Sequence, residues 1–254
     1  MNYPTTPSFR LDNKRALITG AGRGIGLGAS IALAEAGCEI VMVSRTEEEL
    51  KKLSNYINGL NLKSSYKALD VTNNSKLEKF TNEERPFDIL VNNAGTNIPS
   101  SLIDTKIDDF EYVMTLNVNS VINLTKHVVS KMLKNNIQGS IINVSSQMGH
   151  VGGPNRTTYC STKFAIEGFT KSLSIELAPK GIRVNSICPT FIKTPMTEPF
   201  LNDETFKNQV ISMIPIGRLG EIKDLMGPFV FLASDASSLM TGASVLVDGG
   251  WTAR

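Results

Sequence analysis

The chain has 254 residues, 41% hydrophobic and 20% charged, which is enough apolar material for one large α/β domain and too much for a disordered chain. Its 26 Lys and Arg against 24 Asp and Glu leave a formal net charge of +2, and the charges are interspersed. That balance excludes nucleic acid or an anionic membrane as a charge-driven partner. Cys38, Cys160 and Cys188 are widely spaced, follow no disulfide or metal-ligand pattern, and each lies in or beside an apolar segment. Such cysteines are expected to be small core residues in a reducing compartment. Residues 1–13 lack the apolar run of a signal peptide and no segment approaches a membrane span, so the expected location is cytoplasmic.

In chain order, RALIT (15–19) reads as a short apolar strand, followed by a glycine cluster and a helical run, GASIALAEAG (28–37). EIVMVS (39–44) is a second buried strand, TEEELKKLSNYI (46–57) an amphipathic helix, and SSYKALDV (64–71) and FDILVNNAG (87–95) continue the strand series. A long helical pattern with an interruption covers Asp104 to Asn135, and GSIINVSS (139–146) is the fifth strand. TYCSTKFAIEGFTKSLSIELAPKG (158–181) is the strongest helix and stops at Pro179–Gly181. IRVNSICP (182–189) and ASVLVDGG (243–250) supply the last strands. Continuous apolar strands alternating with helices predict a Rossmann-type doubly wound α/β domain, a mostly parallel sheet with helices on both faces. No linker, repeat or low-complexity tract divides residues 1–254, so one domain is expected to bind the dinucleotide and carry the chemistry.

The first strand runs into Thr19-Gly20-Ala21-Gly22-Arg23-Gly24-Ile25-Gly26 and then a helix. Glycines there allow a tight turn and let backbone N–H groups approach a pyrophosphate at the helix N-terminus. The second strand ends Val43-Ser44-Arg45-Thr46, with no carboxylate at its tip to bind a ribose 2′-hydroxyl. A guanidinium at that place suits a 2′-phosphate, and Arg23 is a second candidate, so NADP(H) is expected over NAD(H). Farther on, Tyr159 and Lys163 stand four apart in the strongest helix and share one face. A lysine ammonium close to a tyrosine lowers its pKa and suits it to acid–base work.

The ordered set of motifs resembles the short-chain dehydrogenase/reductase family, in its compact single-domain branch, over nearly the whole chain. It comprises T-G-x-x-x-G-x-G at 19–26, Asp70-Val71, Asn92-Asn93-Ala94-Gly95, Asn117 in LNVNS, Ser146 thirteen residues before Tyr159, Y-x-x-x-K at 159–163, Pro189 to Thr194, and Val247-Asp248-Gly249-Gly250. The resemblance implies catalysis by Asn117, Ser146, Tyr159 and Lys163. Tyr159 would exchange a proton with the substrate oxygen, Ser146 would hold that oxygen, Lys163 would act on Tyr159 and the nicotinamide ribose, and Asn117 would position a relay water. It also implies cofactor contacts at Gly20, Arg23, Gly24, Ile25, Gly26, Ser44, Arg45, Asp70, Val71, Asn93, Ala94, Gly95, Tyr159, Lys163, Pro189, Ile192 and Thr194. One departure is Thr190, where the family usually has glycine, which predicts a slightly different loop. Relatives are homo-oligomers, more often tetramers than dimers.

Residues 189–217 leave the sheet alternation and are expected to cover the substrate. Lys193, Thr197 and Glu198 there, with the polar loop Gln147–Val151, suit a hydroxylated small molecule such as a sugar, polyol or sugar acid. His150, with Ser146 and Tyr159, is a candidate substrate contact, whereas His127 reads as structural. The alternatives are a 3-oxoacyl-acyl-carrier-protein (thioester) reductase, which shares every catalytic motif, and a non-catalytic dinucleotide sensor, against which the intact Asn–Ser–Tyr–Lys set argues. No metal is expected.

Overall fold

Each apolar run forms a strand, and the strands lie side by side. The computed structural model describes residues 3–253. The strands are β1 (Arg15–Thr19), β2 (Glu39–Ser44), β3 (Ser64–Ala68), β4 (Ile89–Asn92), β5 (Ser140–Val144), β6 (Arg183–Pro189) and β7 (Ser244–Val247). They make one sheet in the order β3-β2-β1-β4-β5-β6-β7, with every neighbouring pair parallel. The chain winds outward from β1 to β3 and then returns to place β4 on the other side of β1. The loops leaving the ends of β1 and β4 therefore part, and a crevice opens between them.

Alternate residues of one strand feed different cores, which is why the runs are apolar throughout. Ala16 and Ile18 of β1 face one side with α1 (Gly24–Glu35), α2 (Glu47–Gly59) and α9 (Ile222–Ala233). Leu17 faces the other side, toward α3 (Asn74–Glu83), α5 (Ser120–Lys134) and α6 (Thr157–Leu177). Helices α1 and α9 approach so closely that a Cβ on Gly28 would fall 2.2 Å from Ile222 Cγ2. In the middle of the sheet Asn92 of β4 lies opposite Asn143 of β5, both buried. Asn92 Nδ2 donates to Asn143 Oδ1 and to Thr125 Oγ1, each at 2.9 Å, and Asn143 Nδ2 donates to Thr170 Oγ1 at 2.9 Å.

Several boundaries differ from the sequence-based expectation. Helix α1 starts at Gly24 rather than Gly28, so part of the glycine loop is its first turn. Strands β3, β4 and β5 end at Ala68, Asn92 and Val144, and the residues after each bend into the crevice. The long helical stretch divides into α4 (Ile107–Met114), a π-helical turn (Thr115–Asn119) and α5. Helices α3 and α9 are absent from the sequence-based expectation, although each places its buried residues at helical spacing: Leu77, Phe80 and Thr81 in α3, and Leu225, Phe229, Leu232 and Ala233 in α9. The first lies on a charged segment and is started by Asn73, whose side chain accepts from Lys76 N. The second contains Pro228, which masks a helix in sequence, and is opened by Asp224 accepting from Glu221 N at 2.8 Å.

The segment after β6 forms α7 (Glu198–Leu201) and α8 (Glu204–Ser212) around its own small core of Val210, Ile214 and Leu219. Phe191 anchors it between Phe206 and Trp251, with ring centroids 5.9 and 5.8 Å away. Near the end of the chain Asp248 closes a turn, accepting from the backbone N–H groups of Gly250 and Thr252.

Candidate active site

The crevice is built first by the end of β1. Thr19 Oγ1 accepts from Asn93 N at 3.0 Å and Ala94 N at 3.1 Å, while Asn93 Nδ2 donates to the carbonyls of Thr19 and Gly20. The loops after β1 and β4 are thereby tied together at the switch point. Gly20 and Gly24 hold φ of +62° and +58°, which favour glycine, and a Cβ on Gly26 would lie 2.3 Å from Gly20 O. The fold of this loop therefore needs the glycines. Helix α1 opens into the crevice without a side-chain cap and without an acid in its first turn, so its N-terminal N–H groups are left for an anion.

Gly20, Arg23, Gly24 and Ile25 line the crevice, as do Ser44, Arg45, Asp70, Val71, Asn93, Ala94, Gly95, Pro189, Ile192 and Thr194. Gly26 lies beneath the loop rather than on its surface. At the far end Arg45 is exposed and its Nη1 donates to the Tyr112 hydroxyl at 3.2 Å. Arg23 stands 3.8 Å from Glu49, an acid that also lines the crevice and that the sequence reading did not single out. Its position four residues past Arg45, in the first turn of α2, is the signal that marks it. The Asp70 carboxylate accepts from Thr72 N and Oγ1 and so shapes the turn after β3. Thr190 is not among the four non-glycine residues with positive φ, all asparagines, so threonine fits this loop without backbone strain. Its buried Oγ1 lines the crevice and has no partner.

The opposite end of the crevice gathers Ser146, Tyr159 and Lys163, with Asn117 behind them. Asn117 sits on the π-helical turn, where Oδ1 accepts from Thr96 N at 2.8 Å and Nδ2 donates to Thr96 O at 2.8 Å and Thr162 Oγ1 at 3.1 Å. Asn119 instead faces a separate polar hollow beside Thr72 and Asn74. The Lys163 ammonium donates to Val144 O at 2.9 Å and lies 5.4 Å from the centre of the Tyr159 ring. Burial pushes the Lys163 pKa down to about 8. Burial likewise pushes Tyr159 up to about 12, and its hydrogen bond with Ser146 only partly opposes the rise. The expectation that Lys163 lowers the tyrosine pKa is thus not met by this arrangement: burial sets the direction, and the Lys163 ammonium is committed to Val144 O. Ser146 Oγ accepts from Met148 N and donates to Gln147 Oε1, both at 3.1 Å, leaving Gln147 Nε2 buried without a partner.

Three candidate substrate contacts turn elsewhere. The His150 ring does not line the crevice; its Nε2 lies 3.4 Å from Cys188 Sγ and 3.7 Å from Glu167 Oε2. Lys193 points to Glu221 at 3.8 Å, and Glu198 starts α7 without lining the crevice, whereas Thr197 and the neighbouring Met196 do line it.

A family model described as Enoyl-(Acyl carrier protein) reductase matches residues 20–252. The chain is 38% identical over 246 residues to the 3-oxoacyl-[acyl-carrier-protein] reductase of Thermotoga maritima, covering 95% of this chain and 99% of that enzyme. It is 37% identical over 250 residues to the 2-dehydro-3-deoxy-D-gluconate 5-dehydrogenase of Dickeya dadantii, covering 97% and 98%. A crystal structure of gluconate 5-dehydrogenase from Burkholderia cenocepacia, in complex with NADP and tartrate, superposes with a TM-score of 0.92 at 34% identity, covering 97% of this chain and 98% of that one.

Proposed function

We propose that this chain, which belongs to the short-chain dehydrogenase/reductase family and is an NAD(P)-dependent oxidoreductase of it, prefers NADP(H) and acts on the keto group of a sugar, polyol or sugar acid. The observation that carries the reading is the convergence of Ser146, Tyr159 and Lys163 at one end of a crevice whose other end carries a glycine loop and Arg45. The residues present fit a phosphorylated dinucleotide. The uncapped N-terminus of α1 would hold the pyrophosphate, Arg45 and Arg23 would hold a 2′-phosphate, and the Thr190 hydroxyl would offer the cofactor a hydrogen bond. When bound, NADPH supplies the hydride that a carbonyl carbon accepts.

The protein's own groups handle the oxygen. Tyr159, protonated at neutral pH because burial holds its pKa near about 12, donates its phenolic proton to the carbonyl oxygen as negative charge builds there. The Ser146 hydroxyl turns from Gln147 Oε1 to the same oxygen and fixes the carbon for transfer. Lys163 stabilises the phenolate that remains, and Asn117 holds the π-helical turn against Thr96 so that a water can return the proton. In the alcohol-oxidising direction each proton moves the opposite way.

The hydroxylated substrate is supported by polar groups near Ser146 and by the Dickeya and Burkholderia relatives, and the thioester reading by the Thermotoga relative. A panel of keto sugars, keto sugar acids and a 3-oxoacyl thioester, each assayed with NADPH and NADH, separates them. Turnover confined to the thioester rejects the sugar reading; turnover with none, despite NADPH binding, favours a sensor. We also infer a homotetramer of the cytoplasm, since Phe164 and Ile175 on α6 and Leu246 on β7 leave apolar side chains exposed. A monomeric mass by light scattering rejects the assembly. Among the described residues no helix is long and apolar enough to cross a membrane.

A further inference from the structure

Behind the catalytic residues, and outside the crevice, three metal-ligating side chains meet from three elements. His150 comes from the loop after β5, Glu167 from α6 one turn beyond Lys163, and Cys188 from the end of β6. The atoms His150 Nε2, Cys188 Sγ and Glu167 Oε1 or Oε2 stand at 3.4 Å (N to S), 3.3 Å (S to Oε1) and 3.7 Å (N to Oε2). A tetrahedral ion with bonds of about 2.0–2.3 Å places its ligand atoms about 3.3–3.8 Å apart. The N–S edge matches such a site, each of the other two residues comes within that range of one carboxylate oxygen, and one ligand atom from each residue lies within 4.8 Å of the others.

Charge points the same way. Glu167 is 4% exposed, and among the described residues its one ion-pair contact is His150. Lys163, one turn back on α6, feels the Glu167 charge but donates its ammonium to Val144 O. A buried carboxylate with no cation bonded to it is costly, and a divalent ion lowers that cost. The carboxylate is also held in place as a metal ligand's is, since Ser186 and Ser244 donate their hydroxyls to Oε2. A further buried hydroxyl, Ser145 Oγ, faces Glu167 and Cys188 and lowers the pKa of each by hydrogen bonding. The His150 side chain is 28% exposed, which leaves an entry path from the surface.

We propose that His150, Glu167 and Cys188 form a binding site for a zinc-class divalent transition metal ion, with Ser145 Oγ or a water at the fourth position. Imidazole, carboxylate and thiolate are the ligand types zinc takes. On binding, the ion replaces the Cys188 proton, which leaves to solvent, and no electrons move. The bound ion would join the loop that follows Ser146, the helix that carries Tyr159 and Lys163, and the strand that leads to Thr190, stiffening the catalytic end from behind.

The test is titration of the chelator-treated full chain with Co²⁺, followed by displacement with Zn²⁺. The expected result is one ion per chain, a thiolate-to-cobalt charge-transfer band, visible bands of tetrahedral strength, and a higher Tm with Zn²⁺. His150→Ala and Cys188→Ser should each weaken binding by at least about 10-fold and abolish the Tm gain. Dinucleotide binding by the same variants verifies that they are folded. Should Cys188→Ser prove unstable, His150→Ala alone decides, because its ring is partly exposed. Absence of saturable binding, a spectrum without thiolate character, or binding unchanged in the variants overturns the site and leaves a hydrogen-bonded trio only.

Discussion

The two ends of the crevice are held in opposite ways. At the adenosine end the groups proposed to read the cofactor's 2′-phosphate are exposed: Arg45 donates to the Tyr112 hydroxyl at 3.2 Å, and Arg23 stands 3.8 Å from Glu49. Such contacts are screened by water and contribute little to the fold. At the catalytic end Asn117, Ser146 and Lys163 are buried, each bonded within 3.1 Å to neighbouring backbone or side-chain groups. Replacing one of them strands its neighbours. Cofactor preference is therefore exchangeable without disturbing the fold, whereas the chemistry is not.

The comparison breaks most sharply at Tyr159. Tyr159→Phe should lower kcat by roughly 10²–10⁴-fold while the Kd for NADPH stays within about twofold, read by steady-state assay and fluorescence titration. Residual turnover within tenfold of the original would remove Tyr159 from the proton path. Gly26→Val comes next. Its side chain would meet Gly20 O at the 2.3 Å contact, so the glycine loop must open and dinucleotide binding should be lost, with a visible fall in Tm. Arg45→Ala should weaken NADPH by about 10–100-fold, as expected for a lost charge-assisted bond, leaving NADH and Tm unchanged. Equal loss for both dinucleotides would mean that Arg45 does not read the 2′-phosphate.

The last effect lies in pH. Lys163 is depressed from 10.5 to about 8 in the fold, so between those values the unfolded chain binds the extra proton. Its penalty is complete below pH 8 and fades as pH rises toward 10.5. Relative to Lys163→Met, the original chain should therefore gain roughly 2–3 kcal/mol between pH 8 and 10, read from denaturant midpoints. A constant difference across that range would mean that Lys163 is not desolvated. Tyr159, raised from 10.0 to about 12, acts in the other direction and only above pH 10.

The central strands were readable because parallel strands covered on both faces are apolar, while the edge strand β3 (SSYKA) is polar and largely exposed; the glycine loop was readable because its context is strand then helix. Tyr159 and Lys163 were readable through the ordered set of motifs around them rather than through their spacing alone. What escaped had a masked or short local signature. Helix α9 hides behind Pro228, and α3 lies in a short charged run that buries only Leu77, Phe80 and Thr81. His150 is near Ser146 in sequence yet turns behind the site, because its partners Glu167 and Cys188 lie on elements that only the folded sheet brings together. The direction of the Tyr159 shift also depends on burial, which spacing does not report.

Asn92 and Asn143 bear on how the chain finds its fold. Paired across β4 and β5 and bonded onward to Thr125 and Thr170, they act as a key cut for one alignment of the two central strands. Sliding either strand by a single residue turns its amide to the opposite face and leaves the other without its mate. Misaligned intermediates are thus rejected at the centre of the sheet, and over evolutionary time the two positions are free to change only as a pair.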